Sequence, residues 1–224
     1  MIEIQRFSGE SDWLGRLASD FGDVVGGAIL ARRMAHVALA GGSTPKPFYR
    51  ALNRLDLSWD RITWWLGDER WVPPNDEMSN EKMIRESLGA GRPDFSDRFR
   101  SWHLADDPQN AALRYEEQLC REMGNPPKFD LILLGIGPDG HTASLFPGTA
   151  ALSEKTRYAV ANAVPQMKAT RLTLTFPALD RAQQIWFLVR GKDKEPILKS
   201  LLAHPQDFPA GRIRSANQKL YWLV

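Results

Sequence analysis

The run Phe129-Asp-Leu-Ile-Leu-Leu134, with Gly135 directly after it, decides the fold of this chain. Four consecutive aliphatic residues between an aspartate and a glycine predict a short strand that is buried on both faces. Such strands belong to parallel sheets covered by helices, because an antiparallel sheet with one solvated face shows alternating apolar and polar residues. The stretch therefore indicates an α/β fold.

Apolar strands alternate with amphipathic helical stretches on both sides of this run. Further strands are predicted at His36–Ala40, Ile62–Leu66, Tyr158–Ala163, Leu172–Thr175, Ile185–Val189 and Leu220–Val224. Helices are predicted at Ser11–Ala35, with Ser11 or Asp12 near its N-cap, and at Pro45–Leu55, Asn80–Leu88, Asn110–Met123 and Lys192–Ala203. This alternation implies βαβ units, so we expect a single α/β domain over residues 1–224, with a mainly parallel open sheet and helices on both faces. The segment Asp94–Pro108 has mixed signals and receives no assignment.

The composition is that of a packed globular protein. Of the 224 residues, 43% are hydrophobic and 25% are charged, and the formal net charge of +2 comes from Lys and Arg spread along the chain. That distribution argues against nucleic-acid binding, which needs a clustered basic surface, and suits a small anionic ligand. Cys120 is the only cysteine, so an internal disulfide and a cysteine-ligated metal cluster are excluded.

No stretch of the sequence predicts a targeting or membrane-spanning segment. Met1–Phe7 lacks the basic-then-apolar order of a signal peptide. The longest uncharged apolar run, Val24–Ala31, is too short to span a bilayer. We therefore expect a cytoplasmic protein.

Three predicted strands run directly into a glycine followed by polar residues, giving the loops Gly41–Pro45, Gly67–Arg70 and Gly135–Ser144. The carboxyl ends of parallel strands meet at one edge of a sheet, where ligands bind in open α/β folds. In the first loop, Gly42, Ser43 and Thr44 offer backbone amides and hydroxyls to an anion at a helix N-terminus. The alternative is an ordinary strand–helix turn capped by Thr44.

The second loop places Asp68 and Arg70 just beyond a strand end. A guanidinium is a natural partner for phosphate or for a developing oxyanion, and Asp68 is suited to orienting a histidine or a water molecule. The alternative is a surface ion pair of little energetic value.

The third loop matches the glycine spacing of a dinucleotide site, but three features argue against that function. Pro138 and Asp139 stand where a pyrophosphate needs free amides, and His141 stands where close helix packing is normally required. The next predicted strand, Tyr158–Ala163, has no acidic residue at its end to hold a ribose.

The same loop suits the presentation of His141 as a general base. The glycines of the loop permit a tight turn, and Asp139 is placed to accept a hydrogen bond from one ring nitrogen. Asp68 is an equally plausible partner for this ring, and the alternative to catalysis is a histidine that caps a helix near Thr142. The other three histidines, His36, His103 and His204, are expected to be structural or exposed.

Seven stretches occur together and in order along nearly the whole chain. They are Leu39-Ala-Gly-Gly-Ser-Thr-Pro45, Trp65-Leu-Gly-Asp-Glu-Arg-Trp-Val72, Ser79-Asn80, Leu134-Gly-Ile-Gly-Pro-Asp-Gly-His-Thr-Ala-Ser-Leu-Phe-Pro147, Arg171-Leu-Thr-Leu-Thr175 with Pro177-Ala-Leu179, and Gly191-Lys192. This set resembles the 6-phosphogluconolactonase family, whose fold is Rossmann-like and shared with glucosamine-6-phosphate deaminases. The resemblance implies hydrolysis of 6-phospho-D-glucono-1,5-lactone to 6-phosphogluconate, in the oxidative pentose phosphate pathway, without an obligatory metal or cofactor.

The resemblance also implies roles for individual residues. His141 would deprotonate the attacking water, with Asp68 and Arg70 lining the site. Gly42, Ser43 and Thr44 would form the phosphate-side loop, and Arg171 and Lys168 would complete the phosphate clamp. Because Arg171 begins a predicted strand, it joins the other loops only if that strand runs antiparallel to theirs. The small-molecule lactone is the expected partner, with no nucleic acid or membrane, and a monomer is favoured.

Two other functions fit a chain of this kind less well. Related glucosamine-6-phosphate deaminases carry an Asn-Glu pair after the histidine, where this chain has Leu145-Phe146. A sugar-phosphate-sensing regulator would need a DNA-binding module, and no basic cluster or helix-turn-helix extension precedes Ser11.

Overall fold

A computed structural model describes residues 2–224. The strands are β1 (Ile2–Phe7), β2 (Ala35–Leu39), β3 (Ile62–Leu66), β4 (Asp68–Arg70), β5 (Phe99–Arg100), β6 (Leu131–Leu134), β7 (Ala159–Val164), β8 (Ala169–Leu174), β9 (Ile185–Arg190) and β10 (Gln218–Leu223). The α-helices are α1 (Glu10–Arg32), α2 (Lys46–Asn53), α3 (Asn80–Ser87), α4 (Pro93–Arg98), α5 (Pro108–Met123), α6 (Phe176–Leu179) and α7 (Glu195–Ala203). None of these helices is long and apolar enough to cross a membrane.

Seven strands form one parallel sheet in the order β1-β10-β9-β6-β2-β3-β5. Every residue of β3 and β6 is buried, as expected for strands with helices packed over both faces. Large aromatic side chains fill the layers between sheet and helices, among them Trp13, Trp64, Trp65 and Trp186. The predicted α/β class and the mainly parallel sheet are confirmed.

A second sheet was absent from the sequence prediction. Its three strands have the order β4-β8-β7 and pair antiparallel. The chain leaves the large sheet at Gly67, whose amide donates to the Leu39 carbonyl (2.9 Å) and whose carbonyl accepts from the Leu174 amide (2.9 Å). The residues after β3 therefore enter a new strand, β4, because β8 offers them a hydrogen-bonding edge. Antiparallel pairing brings Arg171 opposite Arg70.

Several predicted boundaries were wrong. Helix α1 begins one residue earlier than Ser11, and its N-cap is Gly9 without a side-chain hydrogen bond, so neither Ser11 nor Asp12 caps it. It ends at Arg32 because Arg33 adopts the left-handed conformation (φ 67°), and β2 already begins at Ala35.

Other differences concern elements at the margins of the fold. The edge strand β1 was not predicted, and its outer edge is left without a partner strand in the described chain. The unassigned segment contains α4 and the two-residue strand β5. The helix predicted from Lys192 is a short 3-10 turn over Lys192–Lys194, followed by α7.

Candidate active site

A cavity of about 310 Å³ lies at the carboxyl ends of β2, β3 and β6. Its walls come from the three glycine-containing loops, from α3, and from the start of β8. The lining includes Gly41, Gly42, Gly67, Asp68, Arg70, Asn80, His141, Ser144, Phe146, Met167 and Arg171. The three loops that the sequence analysis selected thus share one cavity, as expected for strands of a parallel sheet.

His141 enters this cavity from a turn that only glycine permits. The Gly137 amide donates to the His141 carbonyl (2.9 Å) and closes the turn. A Cβ atom at Gly137 would lie 2.1 Å from Nδ1 of His141, so any other residue would displace the imidazole. Gly140 has a φ of +75°, a conformation that side chains with a Cβ rarely adopt. Glycine is therefore geometrically required at both positions before the histidine.

Asp139 contacts the imidazole directly. Its Oδ1 lies 2.5 Å from Nδ1 of His141 and also accepts the His141 amide at 3.1 Å. Burial acts to raise the pKa of Asp139, but the hydrogen bonds from His141 outweigh burial and lower that pKa. The carboxylate is therefore the acceptor and Nδ1 the donor, which leaves Nε2 as the ring nitrogen without a hydrogen-bond partner in the described chain.

Asp68 has a different partner. It is 9% exposed, and its Oδ2 accepts from the Ser144 hydroxyl at 2.6 Å. Its backbone carbonyl accepts from the Asn80 side-chain amide at 3.0 Å. Of the two carboxylates that the sequence analysis left open, Asp139 contacts the imidazole, and Asp68 ties the loop that carries His141 to β4.

Arg70 and Arg171 lie side by side and form no salt bridge with any of residues 2–224. They are direct partners in the antiparallel pair of β4 and β8. Arg70 donates to the Met78 carbonyl, Arg171 contacts the Met167 sulfur at 3.5 Å, and Arg171 Nε is buried without a hydrogen-bond partner. Burial, and then the charge of Arg70, lower the pKa of Arg171. Two adjacent cations with unused donors have the chemistry that an anion requires.

The glycine loop after β2 borders two cavities. Gly42 lines the main cavity, whereas Ser43 and Thr44 line an adjoining one of about 210 Å³. A Cβ at Gly41 would lie 1.9 Å from the Asn80 side chain, so glycine is needed there for close approach. The N-cap of α2 is Pro45 with no side-chain hydrogen bond, so Thr44 does not cap this helix.

Lys168 lies directly before β8. It is exposed, adopts the left-handed conformation (φ 49°) between Met167 and β8, and does not line either cavity. Lys194 lines the adjoining cavity instead, and its Nζ donates to the Ile136 carbonyl at 3.1 Å. The sequence analysis missed Lys194, although β9 also runs into a glycine, Gly191, at the same edge of the sheet.

Glu69 is a second residue of this region, after Lys194, to which the sequence analysis gave no role. It is fully buried, and its carboxylate accepts from the backbone amides of Arg70, Asn80 and Glu81, each at 2.7 Å, and from the Ser79 hydroxyl at 3.1 Å. Burial raises its pKa against the opposing effect of these hydrogen bonds. Glu69 therefore holds the start of α3 against β4, which places Asn80 under the glycine loop.

The fold and the site together define an α/β protein with a crevice at the carboxyl edge of a parallel sheet, lined by a histidine–carboxylate pair and two adjacent arginines. The family model described as glucosamine-6-phosphate isomerases/6-phosphogluconolactonase matches residues 9–222. The chain belongs to this family.

Individual relatives agree with this assignment. The chain is 41% identical over 209 residues to a 6-phosphogluconolactonase of Synechocystis sp., covering 88% of this chain and 84% of that protein. It is 37% identical over 190 residues to a 6-phosphogluconolactonase of Rhizobium meliloti, covering 81% and 79%. The crystal structure of 6-phosphogluconolactonase from Thermotoga maritima superposes with a TM-score of 0.88 at 28% identity, covering 100% of this chain and 99% of that one.

Proposed function

We propose that this chain hydrolyses 6-phospho-D-glucono-1,5-lactone to 6-phospho-D-gluconate in the oxidative pentose phosphate pathway. Its relatives bear the name of that activity. The observation that carries the proposal is one cavity that holds both a carboxylate-bound imidazole and an arginine pair without a salt-bridge partner among residues 2–224. The proposal includes the single domain, monomeric state and cytoplasmic location expected from the sequence.

The proposed reaction begins with proton removal from water by Nε2 of His141. The water oxygen attacks the lactone carbonyl carbon, and the carbonyl electron pair moves to oxygen to form a tetrahedral oxyanion. When the oxyanion collapses, the bond to the ring oxygen breaks, and that oxygen takes the proton back from the imidazolium. Asp139 stabilises the imidazolium through Nδ1 during both proton transfers.

Ester hydrolysis also requires stabilisation of the oxyanion and orientation of the substrate. We assign these tasks to the cationic side of the cavity. Arg70 and Arg171 are placed to bind the phosphate or the developing oxyanion. Gly42, Ser43 and Thr44, with Lys194 beside them, offer a second anion-binding surface next to it. A phosphate contact by Lys168 remains a prediction from the resemblance.

Phe146 argues against the deaminase alternative. Its ring is stacked on His141 with centroids 4.1 Å apart, and its side chain is 5% exposed. A phenyl ring cannot exchange a proton with the imidazole, so the acidic partner that ring opening of an amino sugar phosphate needs is not supplied from this position.

A direct assay tests the proposal. The purified chain should consume 6-phosphogluconolactone well above the spontaneous rate and release one proton per lactone, measured with a pH indicator. Glucosamine 6-phosphate under the same conditions should yield no ammonia. A lactone rate equal to the spontaneous one would refute the proposed function, and ammonia release would favour the deaminase alternative.

A further inference from the structure

The imidazole of His141 is restrained on more than one side. Asp139 holds Nδ1, and the backbone of Gly137 leaves no space for the ring to move past its Cα. A further contact is with Phe146, whose ring plane makes an angle of 28° with the imidazole at a centroid distance of 4.1 Å. A hydrogen bond to one ring nitrogen still permits the imidazole to tilt about that contact, and a ring stacked on its face opposes the tilt.

The phenyl ring is itself held by a buried polar network. The Phe146 carbonyl accepts from the Thr149 amide (3.2 Å) and hydroxyl (2.8 Å). Asn162, on β7, is 1% exposed and donates to Thr149 Oγ1 (3.0 Å) and to the Ser144 carbonyl (2.9 Å). The segment from Ser144 to Thr149 is therefore pinned to the small antiparallel sheet, and Pro147 restricts the backbone beside Phe146 further.

We propose that Phe146 is a positioning residue that holds the imidazole of His141 in one orientation, with Nε2 free for the water molecule. This role rests on the proposed function, since it assigns a task within that reaction. The face of a phenyl ring also attracts cations, so the same stack favours the imidazolium that forms when Nε2 takes the proton.

Replacement of the aromatic ring tests this role. Phe146→Leu keeps an apolar side chain but removes the stack, and should lower kcat by roughly ten- to hundredfold while leaving KM within about threefold. Phe146→Tyr keeps the ring face and should retain kcat within about threefold. Carbon-13 relaxation of the His141 ring, recorded without substrate, should show greater ring mobility in Phe146→Leu than in the parent protein or in Phe146→Tyr.

Two controls separate positioning from general packing. In a His141→Ala background, Phe146→Leu should change the residual rate by less than about twofold, because its effect passes through the imidazole. Phe208→Leu alters packing against Gly140, on the same loop, without removing the stack, and should keep kcat within about threefold of the parent value.

The outcomes decide the proposal in either direction. It is overturned by parental kcat and ring mobility in Phe146→Leu, by a further tenfold loss in the His141→Ala background, or by an equal loss in Phe208→Leu. If the parent protein shows no lactonase activity, the proposed function fails, whereas the relaxation comparison still decides whether Phe146 holds the ring.

Discussion

The amino ends of the strands of the large sheet form one edge (the amino edge) and their carboxyl ends form the opposite one (the carboxyl edge). Each of these edges carries a histidine, a carboxylate and an arginine, but the residues are arranged differently. At the amino edge, a cavity of about 430 Å³ is lined by Arg32, His36 and Asp130. Asp130 pairs with Arg32 and accepts the His36 amide at 2.8 Å, and the His36 ring accepts the Trp65 indole N–H at 3.3 Å. The polar groups of this cluster are therefore paired with one another.

At the carboxyl edge, partners are missing where a substrate is expected to bind. Arg70 and Arg171 form no salt bridge in the described chain, Arg171 Nε has no hydrogen-bond partner, and His141 uses only Nδ1. A buried cation such as Arg171, placed beside a second cation, costs folding energy unless a ligand compensates for it. The comparison teaches that unpaired polar groups, and not residue types alone, distinguish a binding site from a structural cluster.

The largest expected effect is a difference in kcat between variants of His141 and of His36. His141→Ala should lower kcat for the lactone by about 10²–10⁴-fold, since it removes the general base. His36→Asn keeps a hydrogen-bond acceptor for the Trp65 indole and should retain kcat within about threefold. Steady-state assays corrected for spontaneous hydrolysis measure both. An equal loss of kcat in the two variants would contradict the different roles assigned to His141 and His36.

The next largest effect is a difference in KM and melting temperature between variants of Arg171 and of Arg32. Arg171→Met should raise KM by roughly ten- to hundredfold, because it removes charge-assisted hydrogen bonds to the anion. The same variant relieves repulsion with Arg70, so its melting temperature should not fall. Arg32→Met leaves Asp130 without its cation and should lower the melting temperature by up to a few degrees with KM unchanged. A lower melting temperature and an unchanged KM in Arg171→Met would assign Arg171 a structural role.

The smallest expected effect is a pH dependence of stability at the amino edge. Burial lowers the pKa of His36, so the unfolded chain takes up this proton at a higher pH than the folded one. The contribution of neutral His36 to stability is therefore fully present above its pKa in the unfolded chain, about 6.5, and is lost as the pH falls below that value. Between pH 7.5 and 5.5 the parent protein should lose a few degrees of melting temperature.

The variant His36→Asn isolates that contribution. It should lose less melting temperature than the parent over the same interval, because its side chain does not titrate. Part of the dependence should remain, since burial also lowers the pKa of His103. Identical slopes in the parent and in His36→Asn would show that His36 does not contribute.

Much of the fold followed from local patterns. The strands β3, β6 and β9 were predicted because short, continuous apolar runs are strong local signals. The strand β4 was not, because Asp68-Glu69-Arg70 has no strand pattern and becomes extended only by pairing with β8, about a hundred residues later. Likewise, Ile2–Phe7 forms the strand β1 by pairing with β10.

The sequence by itself determined the α/β class and the three glycine loops at one sheet edge, including the loop that presents His141. These features depend on neighbours along the chain, where side-chain periodicity and glycine conformation act directly. Only the tertiary structure decided that Asp139 binds the imidazole and Asp68 binds Ser144, that Arg171 reaches Arg70, and that Lys194 rather than Lys168 lines a cavity. The contact of Asp68 with Ser144 and the pairing of Arg70 with Arg171 join residues far apart in sequence, so they leave no local pattern. Asp139 and His141 are close in sequence, but only the folded turn aims the carboxylate at the imidazole.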